Sequence, residues 1–332
     1  MSHELRVQDV VAPRGEKSYG FIKAGDLASH TVQIPIYIIA GKEEGPTLSI
    51  TAGMHATEYS AIVAAHELAR KLDPTKLRGN VIIAPLVNRY GFDGLSLRIN
   101  PIDGVNLNRI FPGDSNGTIS YQMADVVFKN IVSVADCYID LHGGELGESL
   151  YPFIVFYDTG DKALFEKTVE LVRAFGVKYA WQAPDPQSPT GATEESQSGF
   201  AITQAAKKGI PAFIAEAGSE GRMETQSVDV LYQGAINAMR SLGMLEPQLT
   251  TRSDPKISRK EKYITAGASG MAYTFARAGE EVQPGQKLFE IKSLSGDLLQ
   301  TITAPSRAVP LSTRTYAIVK KGDYLSLMLL LS

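Results

Sequence analysis

The chain has 332 residues, 33 Lys+Arg against 36 Asp+Glu, and a single cysteine, Cys137. At about 150 residues per domain it holds roughly two domains and can bury a large core; one thiol excludes a disulfide framework and any multi-cysteine zinc module. A net charge of −3 with both signs spread along the chain gives no basic face for nucleic acid, and no run reaches the ~20 apolar residues of a membrane helix.

Residues 32–39 (VQIPIYII) and 47–52 (TLSITA) read as apolar strands, separated by a Gly- and Pro-bearing turn at 41–46. Residues 57–72 then take a helical period, with Ala61, Ile62, Ala65, Leu68, Ala69 and Leu72 on one face. A strand at 81–85, a helix at 121–133 and a buried strand at 137–141 follow. The alternation continues with strands at 154–157 and 212–215 and helices at 164–175, 201–208 and 228–242. Apolar strands alternating with amphipathic helices predict an α/β domain whose central sheet is covered on both faces. Residues 246–257 (EPQLTTRSDPKI) are polar and carry two prolines, which marks a boundary. Beyond it come short strands at 271–276, 287–291, 298–304 and 316–319 with no helical pattern, so a small all-β domain is expected. The expected division is 1–250 and 256–332. The opening twenty residues lack the apolar centre of a secretory leader; with one thiol, that makes the cytoplasm the expected compartment.

Chemistry-bearing residues cluster where strands end. Gly53-Met54-His55-Ala56-Thr57-Glu58 lies at a strand-to-helix junction, the side of an α/β sheet where ligands bind. His55 and Glu58, three apart on a first helical turn, could reach one metal ion; Glu58 could equally be an acid interacting with the helix dipole. Asp140-Leu141-His142-Gly143-Gly144 puts a second histidine at another strand end. Two histidines and a glutamate with one open position are a known catalytic zinc arrangement. Asp140, on the same side of its strand as His142, is either a partner of that imidazole or a plain strand-end acid. His3, His30 and His66 read as surface or helix-face residues. The segment 98–113 carries Arg98, Asn106, Asn108 and Arg109 on a Gly- and Pro-bearing loop. Its guanidinium groups suit a carboxylate or a developing oxyanion, or else the loop ties down its own backbone. Glu216, after the apolar strand 212–215, is either a strand-end acid or a general base beside a metal-activated water.

The ordered set G-M-H-A-T-E, N-L-N-R-I-F-P-G, D-L-H-G-G and A-E-A-G resembles the succinylglutamate desuccinylase/aspartoacylase family over roughly residues 34–319. The resemblance implies a mixed central sheet with helices on both faces, like that of the zinc carboxypeptidases, plus a small C-terminal barrel-sandwich domain. It implies one Zn(2+) per chain held by His55, Glu58 and His142, with Glu216 as the general base. Asn108 and Arg109 would hold the substrate carboxylate and Arg98 would polarise the scissile carbonyl, with Arg89 as its competitor. Asn106 stands where many relatives have Asp, which weakens any partnership with Arg109. Family members use the C-terminal domain near the active-site entrance and in dimers, so a homo-oligomer is in keeping with the resemblance.

The implied activity is hydrolysis of the amide bond of a small N-acyl amino acid. The rival readings are a carboxypeptidase acting on short peptides and a non-catalytic binding protein on the same scaffold. Glu194 and Glu195, in the polar loop 184–200, would repel a second substrate carboxylate and so favour acetyl derivatives of neutral or cationic amines. Residues 279–288 (GEEVQPGQKL) with Ala304-Pro305 resemble biotinyl and lipoyl carrier modules. Lys292 lacks the Met-Lys-Met or Asp-Lys-Ala surroundings of a modified lysine, so the likeness is one of shape.

Overall fold

A computed structural model describes residues 4–184, 197–249 and 252–331. A nine-stranded sheet forms the frame, in the order Lys256–Ser258, Tyr179–Ala183, Phe153–Tyr157, Ala212–Glu216, Cys137–His142, Glu43–Ala52, Arg78–Ala84, Thr31–Ala40 and Glu16–Asp26. The strands Ala212–Glu216, Cys137–His142, Glu43–Ala52 and Arg78–Ala84 run parallel. On one side two antiparallel strands extend them, and on the other Phe153–Tyr157 pairs antiparallel to Ala212–Glu216. The sheet is therefore mixed, and the central strands are buried on both faces, as their unbroken apolar runs require. One face packs against the helices Tyr59–Lys71, Lys162–Phe175 and Thr225–Ser241. The other packs against Ile119–Val127, Ala201–Lys207 and an N-terminal hairpin. None of the helices among the described residues is long and apolar enough to cross a membrane.

Beyond residue 252 the chain is all β. Two four-stranded sheets enclose a small core of their own that includes Ile264, Val282, Phe289, Ile291 and Met328. Two strands cross the expected boundary in opposite directions. Glu148–Leu150 pairs with Ala308–Arg314 in the small region, while Lys256–Ser258 adds to the edge of the large sheet. Val309, Leu311, Leu327 and Leu329 pack into the core of the large sheet, so the small region covers part of one sheet face. Lys292 ends the strand Lys287–Lys292 with its ammonium over the Tyr273 ring, not at a hairpin tip.

Several strands have no counterpart in the sequence reading. Glu16–Asp26 is an edge strand with its outward residues exposed. Tyr324–Leu330 is a core strand, although the run 325–331 reads in isolation as an apolar tail. The helix expected at 57–72 starts later, at Tyr59. Glu58 takes the N-cap position but makes no side-chain cap hydrogen bond, because its carboxylate faces the two imidazoles instead.

Candidate active site

Three adjacent parallel strands, Glu43–Ala52, Cys137–His142 and Ala212–Glu216, deliver the chemistry at their carboxyl ends. Glu216 is in register with His142. His55 arrives two residues after Gly53, whose φ of +63° turns the chain out of the sheet. A Cβ there would lie 2.8 Å from Leu86 Cδ1, so glycine is required for both backbone and space.

His55 Nδ1 is 2.8 Å from Glu58 Oε1, and His142 Nδ1 is 2.9 Å from Glu58 Oε2. The carboxylate lies between two imidazole nitrogens, and all three side chains are buried. Burial by itself would raise the Glu58 pKa, but His142 and His55 hold it down to about 2. On the far side of His142, Asp140 Oδ2 stands 3.0 Å from Nε2. Asp140 is completely buried and also accepts from Thr51 Oγ1 at 2.6 Å. Of the two readings of this acid, the 3.0 Å approach favours the partner of the imidazole, although Oδ2 makes no hydrogen bond of good geometry among the described residues. Asn106 Oδ1 lies 3.3 Å from His55 Nε2 and accepts from Asn108 N, so its contacts are with these groups rather than with the Arg109 guanidinium.

His55, Glu58 and His142 fit a metal ion. Each offers one ligand atom, and these lie within 4.8 Å of one another. Glu58 Oε2 is buried with no hydrogen bond despite the nearby His142 Nδ1, and a buried carboxylate oxygen without a donor is costly unless a cation takes it. Two nitrogens and one carboxylate are the donor chemistry of zinc.

A cavity of about 370 Å³ opens beside this cluster and is lined by His55, Glu58, His142, Glu216, Arg98, Asn108 and Arg109. All seven residues singled out from the sequence thus line one cavity. The Glu216 carboxylate makes no hydrogen bond or ion pair among the described residues. Burial raises its pKa well above the usual carboxylate range; His142 opposes the rise and Glu58 adds to it. Asn108 Nδ2 approaches His142 Nε2 at 3.3 Å while its Oδ1 accepts from Ala201 N, the first residue of a helix. The Arg109 guanidinium stacks 4.3 Å from the centre of the Phe200 ring. Arg89 is not among the lining residues; it reaches Gln33 O and the Phe21 ring. Glu194 and Glu195 lie outside the described residues.

Sequence reasoning missed the partners of Arg98. Glu145 Oε2 accepts from Arg98 Nε at 2.8 Å, and Glu148 Oε2 lies 3.5 Å from Nη2. Burial disfavours the guanidinium charge, but Glu145 and Glu148 outweigh it and raise the Arg98 pKa. Both acids follow the D-L-H-G-G motif within six residues of His142, and that clustering was the available signal. The lining contributed by Trp181, Tyr263, Ser312, Tyr324 and Leu327 was also missed, because it depends on strand pairing in the large sheet for Trp181 and on how the small region seats on that sheet for the others.

Comparisons with known proteins identify the family and the fold. The sequence model of the succinylglutamate desuccinylase/aspartoacylase catalytic domain matches residues 44–242. The chain is 27% identical over 320 residues to N-alpha-acetyl-L-2,4-diaminobutyric acid deacetylase of Halomonas elongata, covering 93% of this chain and 90% of that protein. A succinylglutamate desuccinylase from Silicibacter sp. TM1040 superposes with a TM-score of 0.84 at 26% identity over 97% of both chains. The product-bound ectoine utilization protein EutE (DoeB) from Ruegeria pomeroyi shares the fold, with a TM-score of 0.83 at 24% identity over 95% of both chains. The matched span includes all four strand-end and loop motifs, and the chain belongs to the succinylglutamate desuccinylase/aspartoacylase family of deacylases.

Proposed function

We propose that the chain is a zinc-dependent hydrolase that cleaves the amide bond of a small N-acyl amino acid into a carboxylic acid and a free amine. The observation that carries this reading is the shared cavity: a buried His55–Glu58–His142 donor set, the Glu216 carboxylate without a partner among the described residues, and two guanidinium groups line one space. The deacetylase activity named for the Halomonas elongata relative supports the same reaction class.

Zinc bound by His55, Glu58 and His142 would polarise the carbonyl and lower the pKa of water toward ~7. Glu216, whose proton affinity burial raises, takes a proton from the attacking water onto a carboxylate oxygen and returns it to the leaving nitrogen. The carbon–nitrogen bond breaks as that proton arrives. Arg98, fixed by Glu145 and Glu148, supplies a positioned positive charge for the oxygen that becomes anionic. Asn108 and Arg109 hold the substrate carboxylate, with Phe200 keeping the Arg109 plane in place. Asp140 fixes the orientation of His142 through Nε2.

The test is metal content by plasma mass spectrometry on protein purified without chelators or a metal-affinity tag, followed by a panel of N-acyl amino acids beside short peptides. We expect about one zinc per chain and hydrolysis of the N-acyl amino acids that a chelator abolishes and zinc restores. Protein that neither contains nor takes up a divalent metal would overturn the reading, and preferential cleavage of peptides would replace it with a carboxypeptidase.

A further inference from the structure

Half of the cavity is unused by that chemistry. In the sheet register, Asp140 stands beside Ile214, Ile214 beside Val155, and Val155 beside Trp181. The next row on the same face runs His142, Glu216, Phe153. Within each row the chemistry changes abruptly: polar on the strand Cys137–His142, apolar from Phe153–Tyr157 outward. Leu150 and Leu327 complete the apolar side, and all six of these side chains line the cavity.

Glu216 sits at the border, with Phe153 beside it across the strands and Ile214 two residues before it on the same face. A carbonyl carbon placed for water activated by Glu216 therefore has this wall next to one of its substituents. A methyl group would leave most of the wall without contacts, which forfeits dispersion energy along every uncovered side chain. A carboxylate would be desolvated there with no cation among the six, and the two guanidinium groups of the cavity, Arg98 and Arg109, are assigned above to the developing oxyanion and to the substrate's own carboxylate. The Trp181 indole N–H is buried with no hydrogen-bond acceptor among the described residues, so the wall also contains one donor awaiting a partner.

We propose that Ile214, Val155, Trp181, Phe153, Leu150 and Leu327 form the subsite for an apolar substituent of the substrate larger than a methyl group. That substituent is an alkyl or aryl group, carried either on the acyl carbon or as the amino-acid side chain. The inference rests on the deacylase reading and narrows its substrate class.

Trp181 is the chain's single tryptophan, so its emission reports occupancy of this wall without turnover. The full chain is titrated with N-acetylglycine, N-hexanoylglycine and N-acetylphenylalanine. One of the two apolar ligands is expected to shift the emission and to bind more tightly than N-acetylglycine, by about fourfold for each methylene that the wall buries. Preference for the hexanoyl ligand assigns the wall to the acyl group; preference for the phenylalanine derivative assigns it to the side chain. In turnover, Val155→Phe fills the space and is expected to lower the kcat/KM ratio of the favoured apolar substrate to N-acetylglycine by roughly tenfold or more. A poorly folded variant would lower both rates together and leave the ratio unmoved, so the same substitution Ile214→Phe is run beside it. Equal binding of all three ligands with unmoved emission, or an unmoved ratio in a variant that keeps its rate on N-acetylglycine, overturns the proposal. Hydrolysis of all N-acyl substrates without preference removes the subsite and leaves the deacylase standing. Tight apolar binding without hydrolysis by zinc-loaded protein does the reverse.

Discussion

Two strands of the central sheet, Cys137–His142 and Phe153–Tyr157, flank Ala212–Glu216 on opposite sides and present the same face to one cavity. On that face the first carries His142, which lines the cavity, and the fully buried Asp140, each with a partner at hydrogen-bond distance: Thr51 for Asp140, and Asp140 and Glu58 for His142. The second contributes Phe153 and Val155, which are held by packing alone. The difference shows where each kind of side chain can be tolerated. A buried polar group needs its partners supplied at the same depth, and the parallel strands do this by ending together. The apolar strand needs only cover, which the small β region supplies through Leu327 and its neighbours. Glu216 stands on the boundary and shares neither arrangement.

The largest effect is expected there. Glu216→Gln should lower kcat by roughly 10²–10⁴-fold while leaving metal content unchanged, measured by steady-state hydrolysis and elemental analysis. In metal-free protein the same change should raise the Tm at neutral pH. The folded pKa of this carboxyl lies above its unfolded value, so the native state loses stability as pH rises from the unfolded value toward the folded one, and the neutral amide escapes that loss. Full activity in this variant would remove Glu216 from the chemistry and erase the boundary.

Next comes a stability contrast across the sheet. Phe213 is fully buried on the opposite face, edge-on to Phe175 at 5.5 Å, and Phe213→Ala should cost about 3–5 kcal/mol in denaturant unfolding. Its neighbour Ile214 faces a cavity that already exists, so Ile214→Ala should cost about 2 kcal/mol, the low end for such truncations. Equal losses would mean that the cavity wall is packed as tightly as the core. On the polar strand, Asp140→Asn removes the charge beside His142 Nε2 and should weaken zinc binding by about 10–100-fold, with activity recovered in excess metal. Loss of activity that metal cannot restore would mean that Asp140 serves the fold.

The polar half of this comparison was legible in the sequence, and the apolar half was not. His55, His142 and Glu216 each follow an apolar run that ends in a glycine-bearing turn, a local pattern that marks a strand's carboxyl end. Residues 154–157 were equally recognisable as a strand, but nothing local says that they lie antiparallel beside Ala212–Glu216. Without that pairing, Phe153 cannot be placed next to Glu216 or Trp181 two strands from Ile214. The strand exchange was hidden for a related reason: Glu148–Leu150 and Lys256–Ser258 are three residues each, too short to show a period. Tyr324–Leu330 is nearly continuous in its apolar character because it serves two cores, Leu325 and Met328 in the small one, Leu327 and Leu329 in the large one.

The smallest effect concerns how the apolar half is fastened. Glu281, in the small region, accepts from Lys256 Nζ at 2.5 Å, from Arg307 Nη2 at 2.8 Å and from Tyr179 OH at 3.2 Å. Tyr179 pairs with Phe153 in the row that borders the cavity, and Lys256 belongs to the edge strand added to the large sheet. The hydrogen bonds from Lys256 and Arg307 hold the Glu281 pKa down to about 2. A depressed carboxyl pKa stabilises the native state above the unfolded value and loses that contribution as pH falls through the folded one. The group is partly exposed to solvent, so the contribution is small and screened by salt. Glu281→Gln should therefore lower the Tm slightly near neutral pH in low salt, and the gap between variant and parent should close as pH falls from about 5 toward 2. A gap that stays constant across that range would show that Glu281 fastens the edge strand by shape and neutral hydrogen bonding, and that the apolar half of the sheet is held without help from charge.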